Sequence, residues 1–352
     1  APGSYMLTMA NTIGGTVTGG GNFAPGTEVS ISATPLPGYR FSGWTSLNGG
    51  SFADASGAST TFTMPSNDTT VTAHFTHIAS KSGGSGGNKY IIHAVPSNAP
   101  INAEKGQLVS VALTDDQLRE GNYLVPCYYL DGKKYIAANS TIIEGNLIYI
   151  APATAEYTLE VNKPEFLDIS DHWAGEYIGF TAARDLFRGV GNGSFDPDGQ
   201  MTRAMFVTVL ARLDGADLSS YRNTRFKDVI SESWYESAVE WALQNKIING
   251  TSETTFAPDE PITREQMAVI IYNYFKGKGY YIGTTDTAPA PFSDIGSVSM
   301  WAEEAVKWIQ SSGIMNGKPD NIFDPSAIAS RAECCTVFTR LIMAILDESV
   351  AP

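Results

Sequence analysis

The chain is poor in residues that build reactive sites. Its 352 residues hold four histidines, at 74, 77, 93 and 172, and three cysteines, at 127, 334 and 335. None of the histidines has metal-ligand spacing. Two of the cysteines are adjacent, so no disulfide framework can be read from them, and both suit a core as small apolar residues. No Gly-x-Ser-x-Gly elbow between a strand and a helix and no Cys/His pair in a repeated context is present, so no catalytic residue, metal or other cofactor is expected, and the chain reads as a non-enzyme. Bases are also short, 23 Lys and Arg against 37 Asp and Glu, for a net charge of −14. From Pro164 onward 26 acids face 15 bases, a sign that disfavours a nucleic-acid partner. No apolar run approaches 18 residues, which argues against a transmembrane segment. The start, Ala1-Pro-Gly-Ser, has neither a basic segment nor an apolar one, as expected of a mature product or an excised fragment.

What is present is ordinary for folded protein: 43% hydrophobic and 11% aromatic residues, over a length that suits two or three domains. Residues 1–78 alternate apolar and polar side chains in short runs such as Thr27-Glu-Val-Ser-Ile-Ser-Ala33, with glycine clusters at 14–21 and 49–50, and predict a small β-rich module. Residues 79–88, Gly/Ser-rich, predict a flexible linker. Residues 89–163 again alternate, with Asp131-Gly132 placed for a hairpin turn, and predict a β-sandwich-like module.

Beyond that the period lengthens to about 3.6 and one phrase is written three times. A Gly is followed six residues later by Phe, two later by Pro, and six later by Arg after a hydroxyl residue. The copies are Gly189, Phe195, Pro197, Thr202-Arg203; Gly250, Phe256, Pro258, Thr263-Arg264; and Gly317, Phe323, Pro325, Ser330-Arg331. Each Arg is preceded, 37 to 39 residues earlier, by a Phe-x-Asp phrase containing Asp168, Asp228 or Asp294. Trp173, Trp234 and Trp301 begin an apolar stripe in each copy, which predicts helix, irregular loop, helix, with repeats at 164–215, 224–277 and 290–348. Such a pair cannot bury its own stripe, so the three copies must share a core. The fold expected is two small all-β modules followed by an all-α pseudo-threefold helical prism.

Thr202, Thr263 and Ser330 read as helix N-caps, with Gln266 and Glu333 completing capping boxes. Each repeated Arg then stands in a first helical turn, where the macrodipole disfavours a cation by about 0.3–1 kcal/mol when exposed. Two explanations stay open. An Asp of a Phe-x-Asp phrase could pair with each guanidinium, or Arg, helix amides and glycine loop could converge on an anion. Gly189, Gly250 and Gly317 are expected in left-handed C-terminal conformations. The tryptophans suit sugar stacking and equally suit a core. Asp196-Pro-Asp198-Gly199 has half the look of a calcium loop but lacks its distal Glu. The repeated Asp residues suit a fold requirement better than a glycosidase dyad.

Two resemblances follow from these residues. The order Gly-Gly-Thr-Val-Thr, Gly26-Thr-Glu-Val, Pro37-Gly-Tyr-Arg-Phe-Ser-Gly-Trp44, Phe62-Thr-Met-Pro and Val71-Thr-Ala-His-Phe75 resembles the divergent internalin B-type repeat, which implies a spacer or adhesive module. The threefold phrase, over about 166–348, resembles S-layer homology repeats. That resemblance implies a prism whose inter-repeat grooves bind secondary cell wall polysaccharide, often through a pyruvylated amino sugar, at an extracellular, wall-associated location. Under it, Arg203, Arg264 and Arg331 meet the ligand's carboxylate. Gly189, Gly250, Gly317, Trp173, Trp234 and Trp301 line the grooves, and Asp168, Asp228, Asp294, Thr202, Thr263 and Ser330 orient them. Departures in the third copy, Ala327-Ile-Ala329 before Ser330, rank the grooves of Arg264 and Arg203 above that of Arg331. A self-assembling S-layer subunit in contact with other surface proteins, and the anchor tail of a larger surface enzyme or adhesin, remain alternatives.

Overall fold

Period-two alternation in the first 80 residues builds strands β1 (Tyr5–Asn11), β2 (Gly15–Thr18), β3 (Gly21–Phe23), β4 (Glu28–Pro35), β5 (Tyr39–Leu47), β6 (Ser51–Phe52), β7 (Ser59–Thr63) and β8 (Thr69–His77). The computed structural model describes residues 3–11, 15–35, 39–77, 92–96, 99–280 and 290–350. The expected linker, residues 79–88, lies outside them, as do residues 37 and 38 of the Gly-Tyr-x-Phe motif. The eight strands form two sheets, ordered β3-β1-β8-β5 and β2-β4-β7-β6. Leu7, Trp44 and Val71 from one sheet meet Val29, Ile31 and Phe62 from the other in a single core. A bulge between Phe41 and Gly43 re-phases β5, and Gly43 takes the φ of +151° that a side chain would resist. Trp44 turns inward there and donates Nε1–H to the Gly57 carbonyl at 2.9 Å.

The second unit, 81–352, begins with β9 (Ile92–Val95), β10 (Ile101–Ala103), β11 (Leu108–Ala112), helix α1 (Asp115–Glu120), β12 (Leu124–Leu130), β13 (Lys133–Ile136), β14 (Ser140–Ile143), β15 (Asn146–Ile150) and β16 (Ala155–Val161). Its sheets run β10-β16-β12-β13 and β14-β15-β11-β9. Val109, Val111 and Tyr149 from one pack on Tyr128 and Tyr157 from the other. Asp131 and Gly132 turn β12 into β13 with φ of 51° and 76°, the doubly left-handed turn their dipeptide favours.

Six helices follow: α2 (Gly175–Ala183), α3 (Arg203–Asp214), α4 (Glu236–Gln244), α5 (Arg264–Lys278), α6 (Glu303–Ser311) and α7 (Arg331–Val350). The two helices of one repeat are not principal partners. Instead α3 packs on α4, α5 on α6, and α7 on α2, so each repeat's second helix covers the first helix of the next repeat and the third closes on the first. The apolar stripe explains the exchange: Ala238, Val239 and Ala242 of α4 and Ala305, Val306 and Ile309 of α6 are all buried. Where the second helices meet, Cys334 Sγ lies 3.7 Å from Met267 Sδ, and Phe206 packs on Phe338 with ring centroids 5.1 Å apart.

The expected division into all-β modules and an all-α prism is wrong. The second β region carries α1, held by a Thr114 to Gln117 capping box, and forms one unit with the helices. The cause is a second apolar face: Leu124–Tyr128 of β12 are buried throughout, with Val125 and Cys127 packed on Ala183 of α2. Arg184, buried at the end of α2, fastens the two layers by donating Nε–H to the Ser140 carbonyl at 2.7 Å and Nη1–H to that of Asn122 at 2.9 Å. Nor is the repeat region wholly helical, because short β-bridges tie repeat to repeat at Thr202 with Pro261, Thr263 with Ile328, and Gln200 with Ser330.

Candidate functional site

The β-bridges bring the start of each second helix against the loop of the following repeat, making three junctions: first to second, second to third, and third back to first. All three caps form. Thr202 Oγ1 accepts from Met205 N–H, Thr263 and Gln266 make a full capping box, and Ser330 and Glu333 bond reciprocally at 2.9 and 3.2 Å.

The helix amides expected to receive an anion are already occupied. Arg203 and Ala204 donate their N–H groups to the Glu260 and Pro258 carbonyls, Arg264 and Glu265 to those of Ala327 and Pro325, and Arg331 and Ala332 to those of Gly199 and Pro197. Each positive helix end is therefore answered by carbonyls from the next repeat. The arginines follow the same rule. Arg203 Nε–H donates to the Phe256 carbonyl at 2.9 Å, Arg264 to Phe323 at 2.6 Å, and Arg331 to Phe195 at 3.0 Å. Each guanidinium also lies over the ring of that same Phe, 4.8, 5.1 and 4.5 Å from its centroid. A cation stands at the wrong helix end because its long stem carries the charge across the junction.

The aspartates hold the same loops from within their own repeat. Asp168 accepts from Phe195 and Asp196 N–H, Asp228 from Phe256 and Ala257, and Asp294 from Phe323 and Asp324, at 2.6 to 3.1 Å. Burial by itself would raise the pKa of Asp168 and Asp294, but the backbone donors, with the charge of Arg331 or Arg264, outweigh it and hold both below the ordinary value. So the Asp–Arg contact pair does not form; Asp grips the loop's N–H groups and the neighbour's Arg grips its carbonyl. Burial pulls the guanidinium pKa of Arg203 and Arg264 down, opposed by nearby acids, from a value high enough that both stay charged.

The glycines play a different part from the one expected. Of the three, only Gly250 has a positive φ, 81°; the left-handed residues that end the first helices lie four positions earlier, at Asp185, Lys246 and Gly313. What excludes a side chain is close approach. A Cβ at Gly189 would stand 2.7 Å from the Ser194 carbonyl oxygen and 2.9 Å from the Phe166 ring, and one at Gly250 would stand 2.5 Å from the Phe226 ring. The tryptophans are not core. Trp173, Trp234 and Trp301 precede their helices and are 62, 60 and 59% exposed, whereas Phe195, Phe256 and Phe323 are fully buried. Trp301 is tied to a junction, because Ser299, two residues earlier, donates N–H and Oγ–H to Glu265 beside Arg264. Sequence reasoning missed the left-handed residue between each repeated Phe and Pro, namely Asp196, Ala257 and Asp324. The Asp preference for that conformation was the available signal.

Comparison with known proteins agrees with this threefold construction. The S-layer homology domain model matches residues 165–205, 225–268 and 291–334. The chain carries three S-layer homology domains. A divergent InlB B-repeat domain occupies residues 5–79. An amylopullulanase of Thermoanaerobacterium thermosulfurigenes is 31% identical over 59% of this chain and 11% of its own length. Exoglucanase XynX of Acetivibrio thermocellus is 34% identical over 50% of this chain and 16% of its own. A cellulosome-anchoring protein of the same organism is 30% identical over 44% of this chain and 35% of its own. The chain thus spans well under half of each relative, and the enzymes match through their S-layer homology regions. These domains give the chain a cell-surface anchoring role at an extracellular, wall-associated location. Among the described residues no helix is long and apolar enough to cross a membrane.

Proposed function

We propose that the three S-layer homology domains anchor the chain non-covalently to secondary cell wall polysaccharide, and that an anionic sugar, such as a pyruvylated amino sugar, docks at the junctions between repeats. The observation that carries this reading is the treatment of aromatics. A fold that buries its repeated loop Phe rings leaves all three repeated Trp residues about three-fifths exposed. Exposure of an indole forfeits burial worth a few kcal/mol, and three equivalent exposures suit stacking against sugar rings. Arg203, Arg264 and Arg331 supply charge at the junctions, Gly189, Gly250 and Gly317 keep the loops tight, and Asp168, Asp228 and Asp294 with the capping hydroxyls hold them in place. The cellulosome-anchoring relative, by its name, supports anchoring.

The test is co-sedimentation of the full chain with purified polysaccharide-bearing wall. Changing Trp173, Trp234 and Trp301 together to Ala should abolish pelleting and leave the helical signal intact, because these side chains are exposed. Pelleting equal to the unaltered chain would overturn the reading. Removing pyruvate ketals from the wall should weaken binding; equal binding to both walls would refute the carboxylate part. A second reading, an S-layer lattice subunit, is favoured by 27% identity to a surface-layer 125 kDa protein of Lysinibacillus sphaericus over 60% of this chain. Ordered sheets on removal of denaturant would support it.

A further inference from the structure

The three junctions share a plan but not a charge balance. At the second-to-third junction Arg264 is neutralised from inside the protein. Its Nε–H and Nη2–H donate to the Phe323 and Asn316 carbonyls, its Nη1 lies 3.9 Å from Glu333 Oε1, and Glu265 stands next to it in the chain. At the third-to-first junction Arg331 donates Nε–H to Phe195 and Nη2–H to the Arg188 carbonyl at 2.7 Å. The residues equivalent to Glu333 and Glu265 are there Met205 and Ala332.

The first-to-second junction departs twice. The carbonyl that Nη2 of Arg203 would take by this pattern is that of Asn249, just before Gly250, but it accepts instead from Arg225 Nη2 at 3.2 Å. The Arg203 side chain makes one hydrogen bond, through Nε. Among the described residues neither of its Nη groups has an acceptor, although the residue is only 6% exposed. The positions of Glu333 and Glu265 are filled by neutral Gln266 and Ala204. Asp228, committed to two backbone N–H groups of its own loop, is the acid whose field reaches Arg203; Arg264 feels Glu333, Asp324 and Asp294. Arg225 adds a second cation, its guanidinium 5.3 Å from the Phe226 ring centroid.

We infer that the first-to-second junction, with the free guanidinium edge of Arg203 and Arg225 beside it, is the one that takes the ligand's carboxylate, and that Glu333 closes the second-to-third junction to anions by supplying the counter-charge internally. The inference rests on the wall-binding reading and specifies which junction does the work. The unused Nη edge reaches solvent although most of the residue is buried, and a carboxylate that displaces water there gains two charge-assisted bonds. One already faced by a carboxylate would have to accept like-charge repulsion first. Arg331 has no acid at the positions of Glu333 and Glu265 and feels the charge of Asp168, but it has used its outer donor on the Arg188 carbonyl, so it ranks between them.

The experiment is a titration of the full chain with wall polysaccharide bearing pyruvate ketals, and with the same polymer after mild-acid removal of the ketals. The deciding variant is Gln266→Glu. It places a carboxylate where Glu333 stands and preserves the capping box, since Glu333 makes the same cap. It should lower affinity for the ketal-bearing polymer by at least about tenfold and leave the depyruvylated polymer unaffected. Glu333→Gln should raise the number of ketal-dependent sites from one to two. Unchanged affinity in Gln266→Glu with retained helical signal overturns the inference. If the unaltered chain binds both polymers equally, wall anchoring stands and this inference fails. If it binds neither, both fail.

Discussion

Replacing Asp228 by Ala tests the loop clasp most directly. The carboxylate accepts from Phe256 N–H at 2.9 Å and Ala257 N–H at 2.6 Å, and its removal leaves both donors without that acceptor. An orphaned donor costs about 1–3 kcal/mol when buried. These two are part-buried, so water recovers some of that and the expected loss is about 2–3 kcal/mol. Asp228→Asn keeps an acceptor oxygen without the charge and should cost about half as much. Urea unfolding followed by helical circular dichroism measures both, and an unchanged slope with a lowered midpoint is the expected signature. Because Arg203 holds the carbonyl of the same Phe256, Asp228→Ala and Arg203→Met should couple by more than about 0.5 kcal/mol in a double-mutant cycle. A loss below about 0.5 kcal/mol for Asp228→Ala, or strict additivity of the pair, would refute the idea that one loop is clasped from two repeats.

Three further outcomes are expected. Ala257 sits at φ 59° where the other repeats have Asp196 and Asp324, so Ala257→Asn should stabilise by up to about 1 kcal/mol, read as a raised unfolding midpoint. Because Asp168 and Asp294 have pKa values lowered on folding, the unfolded chain binds more protons in acid. Their stabilisation is full above the ordinary carboxylate value of 3.8 and is lost as pH falls through the folded values, and Asp168→Asn with Asp294→Asn should flatten that acid limb in pH-dependent urea melts. Burial pushes the Cys127 thiol up to about 11 and that of Cys335 to about 12, so a thiol reagent at neutral pH should label none of the three buried cysteines until the chain is unfolded.

Short-range chemistry was readable in the chain and long-range partnership was not. The caps at Thr202, Thr263 and Ser330 and the Asp131-Gly132 turn depend on three or four consecutive residues, so their spacing was enough. Burial of Cys334 and Cys335 followed from their alignment with core positions of the other repeats. The tryptophans could not be placed, because an indole at the start of an apolar stripe suits core and surface alike. The glycines were misread because a helix end and a crowded backbone both select Gly, and only the distance from Gly189 to Phe166 separates the two.

By itself the sequence determined that the second half is a threefold repeat of helix, tight loop and capped helix, since the periodicity and cap chemistry are local. It also determined that two strand-rich segments precede it. Only the tertiary structure decided that each second helix covers the next repeat's first helix, that carbonyls already fill the helix ends, and that β12 buries both faces and merges the second β region with the helices. The physical reason is that donors, acceptors and apolar stripes announce what they need but not who supplies it. For Arg203 the supplier is the Phe256 carbonyl, 53 residues away, and its two remaining donor groups became visible only once that partner was known.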